Sequence, residues 1–304
     1  MSNTIVINQV LILFFIMIIG FLARKKGIIT PNLTKGLTDI LVNITSPLII
    51  FTSFQFEFSG EMLASIGKIL AFTFFIHLFS LLVGMVLFNK YPAPIKKVLH
   101  YTTVFSNCGF MGFPILYGIY GKIGVLYGSF FLVGFNVFVW TAGVMIFTGH
   151  REQGGLKKVL FNPNIIAIIL GTVAFIFSIK ITGPLYSALE MAAEMNTPVS
   201  MMVVGSILAE VKPREIFAGF AVYYGSLIRL LAIPFLSLIV TNMLNFAPIL
   251  QSVCVLSAAT PAATFTAIFA EKYNGDSHFA SRIIVISTIL SLITIPLFIF
   301  LLNN

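Results

Sequence analysis

Long apolar runs, separated by short clusters of charged and turn-forming residues, make up almost the whole chain. They fall near 5–23, 33–54, 62–88, 97–120, 123–148, 164–180, 184–209, 214–239, 247–271 and 278–302. A bilayer-spanning helix needs ~20 predominantly apolar residues, so the pattern predicts ten transmembrane helices. No basic residue precedes the first run, whereas Arg24, Lys25 and Lys26 follow it. That order is the reverse of a secretory signal, and the first run is expected to stay as an anchor with the N-terminus outside.

Two of the runs carry residues that a helix in lipid should avoid. The fourth contains "SNCGFMGFPILYG", Ser106 to Gly118, with three glycines, a proline and an asparagine; the ninth contains "LSAATPAATFTAIF" with Pro261. Proline removes a backbone donor and glycine loosens the helix. An unsatisfied peptide group in hydrocarbon costs several kcal/mol, so broken backbone at depth implies burial in protein or a wet cavity. The second and seventh runs carry Asn43 with Pro47 and Asn196 with Pro198. Pro47 to Pro114 is 67 positions and Pro198 to Pro261 is 63. Breakers therefore recur in two sets of five runs, and because five is odd the second set enters the membrane from the opposite side. The expected organisation is a first inverted repeat over 1–148, a short cytoplasmic linker over 149–163 and a second inverted repeat over 164–304. Paired broken helices four and nine should cross near mid-membrane, where half-helix ends offer partial charges to a ligand.

Charge tests the helix count. If ten runs alternate from an external N-terminus, fourteen of the 18 Lys and Arg face the cytoplasm, among them Arg24, Lys96, Arg151, Lys158, Lys212, Arg214 and Lys272. Lys68, Lys122 and Lys180 fall outside and Arg229 within a span; nine or eleven spans would scramble this positive-inside bias. Both termini are then external. The net charge of +8 and the mean hydropathy of +1.03, with 58% apolar residues, speak for contact with membrane lipid and against nucleic acid. Cys108 and Cys254 lack metal-ligand or CxxC spacing. The four histidines come with no HExxH or GxSxG motif, so the chain is read as no enzyme, with no metal and no cofactor.

The sequence also resembles a known family. "SNCGFMGFPILYG" is similar to the N-x-G-F-M-G-x-P crossover of the auxin efflux carriers, and "TPAATFTAIFAEKYNGD" followed by "STILSLITIPL" to their ninth and tenth segments. "LVNITSPLIIF", "TPVSMMVVGSILAE" and "LIRLLAIPFL" resemble their second, seventh and eighth. The resemblance implies an NhaA-like inverted-repeat fold and secondary transport of small organic anions: auxin in plant members, dicarboxylates such as malate and malonate in bacterial ones. The short 149–160 loop resembles the bacterial type and implies a bacterial inner membrane.

For a carboxylate, half-helix N-termini near Gly112 to Pro114 and Pro261 to Ala263 would supply about half a charge each. Asn107, Thr260 and Thr264 could add donors, while Gly109 and Gly112 allow close approach. Asn107 is equally readable as a helix cap, and the two hydroxyls as bonded back to their own helix. Asn43 and Pro47 are further lining candidates. Glu194, ~15 Å into the seventh run at helical rise, and Glu190 one turn earlier could carry a coupling proton or sodium ion. Arg229 could pair with either carboxylate or grip the substrate. His77 reads as a core histidine. A channel or ligand sensor on the same fold is the alternative, and a homodimer stays open.

Overall fold

A computed structural model of the chain describes residues 3–57, 59–150, 154–210 and 219–303. Helices occupy every apolar run: α1 (Asn3–Lys25), α2 (Pro31–Thr52), α3 (Gly60–Leu87), α4 (Ala93–Val104), α5 (108–120), α6 (122–148), α7 (Gly155–Leu160), α8 (Pro163–Ile176), α9 (Gly183–Glu194), α10 (Asn196–Leu208), α11 (Phe220–Met243), α12 (Pro248–Ala259), α13 (Phe265–Lys272) and α14 (Ser277–Asn303). Among the described residues the backbone pairs as a sheet at a single bridge, Ser106 with Ala262. Among the described residues six helical stretches, with α5 and α6 as one of them, are long and apolar enough to cross a membrane, and α8 and α12 are shorter apolar helices. Phe15, Val86, Phe177 and Ile293 turn 61 to 72% of their surface outward, an exterior suited to lipid rather than water. The chain is an all-α, multi-pass membrane protein. Arg151, Lys212 and Arg214 of the charge pattern, and the start of the eighth run, lie outside the described residues.

Proline shapes these helices in two ways. Pro31, Pro94, Pro163, Pro184 and Pro248 sit in first turns, where a missing N–H needs no partner. Pro47, Pro114 and Pro234 instead follow wide π turns at Leu41–Thr45, Cys108–Gly112 and Ile228–Ala232. A proline ring displaces the carbonyl four residues back and leaves it without its donor, and one wider turn absorbs the mismatch. Pro47 therefore makes a bulge in a continuous α2, whereas Pro198 lies in the first turn of α10, so these matched breakers act differently.

The chain divides into two compact units. The first holds 1–69, 109–130 and 159–210. In it α1 lies against α10 with glycine at both contact points: a Cβ on Gly20 would stand 2.2 Å from Met202 O, and one on Gly205 1.9 Å from Met17 O. Hydroxyls of Thr34 and Ser206 bond at 2.7 Å, and Asn196 donates to Thr45, the last residue of the π turn of α2, and to Ser46 after it. Arg24 pairs with Glu210 at 3.0 Å and Lys180 with Glu57 at 2.9 Å; the Lys180 ammonium holds the Glu57 carboxyl below its usual range.

The second unit holds 70–108, 131–158 and 211–304. His77 is buried there among Phe105, Phe131, Phe135 and Phe138, with Nδ1 2.7 Å from Thr73 O. It is a satisfied core histidine.

Candidate functional site

Backbone accounting defines the place where α4 and α12 end. A helix that stops inside protein must find partners for the peptide groups that lose their i to i−4 bonds. In a continuing α4, Asn107 N–H would donate to Thr103 O; it donates instead to Pro261 O at 2.8 Å. Pro261 has no N–H for Ser257 O, which accepts from Ser106 Oγ at 3.0 Å and Thr260 Oγ1 at 2.9 Å. Ala262 N–H, the regular donor for Ala258 O, goes to Ser287 Oγ on α14 at 3.1 Å. Ala263 N–H donates to Phe105 O at 3.1 Å. The two interrupted stretches thus hold each other as a one-bridge antiparallel pair, with Phe105 and Thr260 extended at φ −108° and −65°.

Thr103 O and Ala258 O are among the carbonyls that this exchange frees, and Arg229 takes both. Its Nη1 donates to Thr103 O at 3.0 Å and Nη2 makes a short bond to Ala258 O, while Nε has no acceptor among the described residues. Arg229 is 2% exposed and sits in the π turn of α11. The expected pairing with Glu190 or Glu194 is replaced by these carbonyl bonds, because the guanidinium fork fits two acceptors that the helix breaks leave unsatisfied.

The expected site residues differ in burial and bonding. Thr260 is fully buried, its hydroxyl bonded back to its own helix. Asn107, 5% exposed, joins the pair through its backbone N–H, and its carboxamide bonds to nothing among the described residues. The first half-helix starts at Cys108, ahead of the expected Gly112 to Pro114, so Gly109, Gly112 and Pro114 lie within its opening turns. The second starts at Phe265, later than Pro261 to Ala263, because residues 260–263 are spent in the extended passage. Thr264 is its buried cap residue, with no side-chain cap bond. Asn43 is exposed and donates back to Asp39 O, and Pro47 is half-buried beside it.

Glu190 and Glu194 belong to a separate cleft of about 250 Å³ in the first unit, which Thr52, Ser53, Tyr117 and Lys122 also line. Lys122 follows Gly121, whose φ of 62° makes the sharp turn between α5 and α6 that glycine adopts without strain. The Lys122 ammonium donates to Glu190 and, at 2.6 Å, to Tyr186 OH, and sits 5.1 Å from the Tyr186 ring. Sequence reasoning placed Lys122 only as an external charge; the spacing of Tyr186 and Glu190, one helical turn apart, was the available signal.

The donor role of Ser287 is directly testable. Ser287→Ala strips the partner from a buried N–H, which costs about 1–3 kcal/mol. Thermal unfolding of the purified protein should drop by several degrees, and Ser287→Thr should recover most of the loss; an unchanged Tm would remove Ser287 from the account.

A family model described as membrane transport protein matches residues 5–158 and 155–299. The chain is 25% identical over 307 residues to an uncharacterized transporter of Methanothermobacter thermautotrophicus, covering 98% of this chain and 97% of that one. It is 23% identical over 310 residues to an uncharacterized transporter of Methanocaldococcus jannaschii, covering 98% and 99%.

Proposed function

Because the chain belongs to the membrane transport protein family of auxin efflux carriers, we propose that it is a secondary transporter of small organic anions, mono- or dicarboxylates such as malate or malonate. The anion binds where α4 and α12 break and is carried by alternating access, on a fold of ten spans in two inverted repeats, 1–148 and 164–304, joined by the 149–163 linker. The membrane is a bacterial inner membrane, with both termini external.

One observation carries this reading: the broken ends are joined by backbone bonds, yet the Asn107 carboxamide beside them keeps its donors unspent. A preformed donor on rigid, largely dry backbone suits a carboxylate, since charge-assisted hydrogen bonds are strong there. The half-helix starting at Cys108 has the N-terminal peptide dipoles that favour an anion; Pro261 and Thr264 are assigned to the substrate at the break of α12, and Gly109, Gly112 and Pro114 are assigned to it in the opening turns of α5. Asn43 and Pro47 are assigned an outer, lining role. Glu194, in the cleft with Glu190 and Lys122, is the candidate for a coupling proton or sodium ion. A family of transporters favours a carrier over an enzyme.

Purified protein in liposomes should take up or exchange labelled malate, malonate or a similar acid with saturable kinetics. Asn107→Ala should cut that uptake by about tenfold or more, the loss expected for one hydrogen bond to a charged group. Imposed proton or sodium gradients should drive uptake, and Glu194→Gln should blunt that dependence. Lack of saturable flux across the acid panel would overturn the carrier reading; single-channel currents would replace it with a channel, and ligand binding without flux with a sensor.

A further inference from the structure

The charge on Arg229 has no acidic partner among the described residues and is removed from water. Isolated buried charges are costly and persist only where something compensates them. What surrounds this one is two helix C-terminal ends. Thr103 lies in the last turn of α4 and Ala258 in the last turn of α12, and each such end carries about half a negative elementary charge from its aligned peptides. Two ends sum to about −1, which one guanidinium cancels.

We infer that Arg229 is a positioning residue that serves as the resident cation of the crossing, tying the C-terminal ends of both interrupted helices together in the place a bound metal cation would otherwise fill. Both carbonyls are those whose own donors, Asn107 N–H and Ala262 N–H, have left for the bridge and for Ser287. A sodium ion at this place would need the same exposed carbonyl oxygens as ligands; covalent attachment to α11 supplies the charge permanently. The final step rests on the anion-carrier reading: an anion then reaches a crossing whose negative ends are already neutralised, without a metal ion bound there first.

The assignment does not need transport for its test. Thermal unfolding of the purified full chain is measured for the wild type, Arg229→Lys, Arg229→Met and Arg229→Ala. Arg229→Met, which keeps length and loses charge, should fall by about 5 °C or more because two buried carbonyls lose their donors. Arg229→Lys should lie between it and the wild type. Millimolar methylguanidinium chloride should raise the Tm of Arg229→Ala and leave the wild type unchanged. An Arg229→Met protein as stable as the wild type would overturn the inference, as would equal responses of wild type and Arg229→Ala to methylguanidinium. If the neutral variants are not recovered folded, a protein that keeps Arg229 and carries Glu190→Gln and Glu194→Gln in the cleft decides. Replacing choline chloride by sodium chloride at constant ionic strength should leave its Tm unmoved. A saturable rise with sodium in that background would place a mobile cation at the crossing.

Discussion

Gly205→Val is expected to leave almost no monodisperse protein after extraction into detergent, with Gly20→Val close behind. At both positions the obstacle to a side chain is backbone: Met17 O, 1.9 Å from the Cβ site of Gly205, and Met202 O, 2.2 Å from that of Gly20. No rotamer change relieves such a contact, so α1 and α10 would have to separate. Helices in a bilayer gain little from hydrophobic transfer and depend on close packing and hydrogen bonds between them. Separation would therefore forfeit the contact itself along with the Arg24 to Glu210 bond. A loss beyond about 3 kcal/mol follows, in the range of severe overpacking. Gly67→Ala on α3 is the control: nothing lies within 4 Å of its Cβ site, and glycine to alanine within a helix favours folding by about 1 kcal/mol. Size-exclusion profiles and Tm values of the three variants check the claim, and a monodisperse Gly205→Val with wild-type Tm would refute it.

Pro261→Ala should give the opposite dissociation, a folded protein with impaired transport. Alanine returns an N–H to position 261, within reach of Ser257 O, the carbonyl that now accepts from Ser106 and Thr260. Removing proline from a helical register favours the helix by about 3 kcal/mol. Against this stand the bonds of Asn107, Ala262 and Ala263 to their present partners, each worth ~1 kcal/mol net. The balance is close enough for α12 to run on through the break in a large share of molecules. Uptake of the labelled acid into liposomes should then fall by about twofold or more, in step with the share of molecules that lose the break, while the Tm holds within a few degrees. Wild-type uptake by Pro261→Ala would show that the break does not depend on its proline.

The apolar runs could be read directly because a span in lipid has no choice but to be apolar and about 20 residues long. The interruptions at 105–107 and 260–264 were visible for a related reason: asparagine, glycine and proline have no place in an uninterrupted lipid-facing helix. What the sequence could not disclose is how those interruptions are resolved. Whether Pro47 and Pro114 break a helix or merely widen one turn depends on the partners available to the freed carbonyl, and those partners are far away in the chain. Ser106 meets Ala262 and Arg229 reaches Thr103 across more than a hundred residues. For that reason Arg229 looked from its spacing like a mate for Glu190, and Lys122, which takes that carboxylate, looked like topology alone.

The single bridge between Ser106 and Ala262 is made of peptide groups, which every amino acid except proline provides in full. Its hold is thus blind to the identity of the neighbouring side chains. Positions 107 and 264, which the proposed carrier turns toward its anion, can exchange their chemistry in the course of divergence without loosening the joint, so in that carrier new cargo can be accommodated on an unchanged mechanical hub.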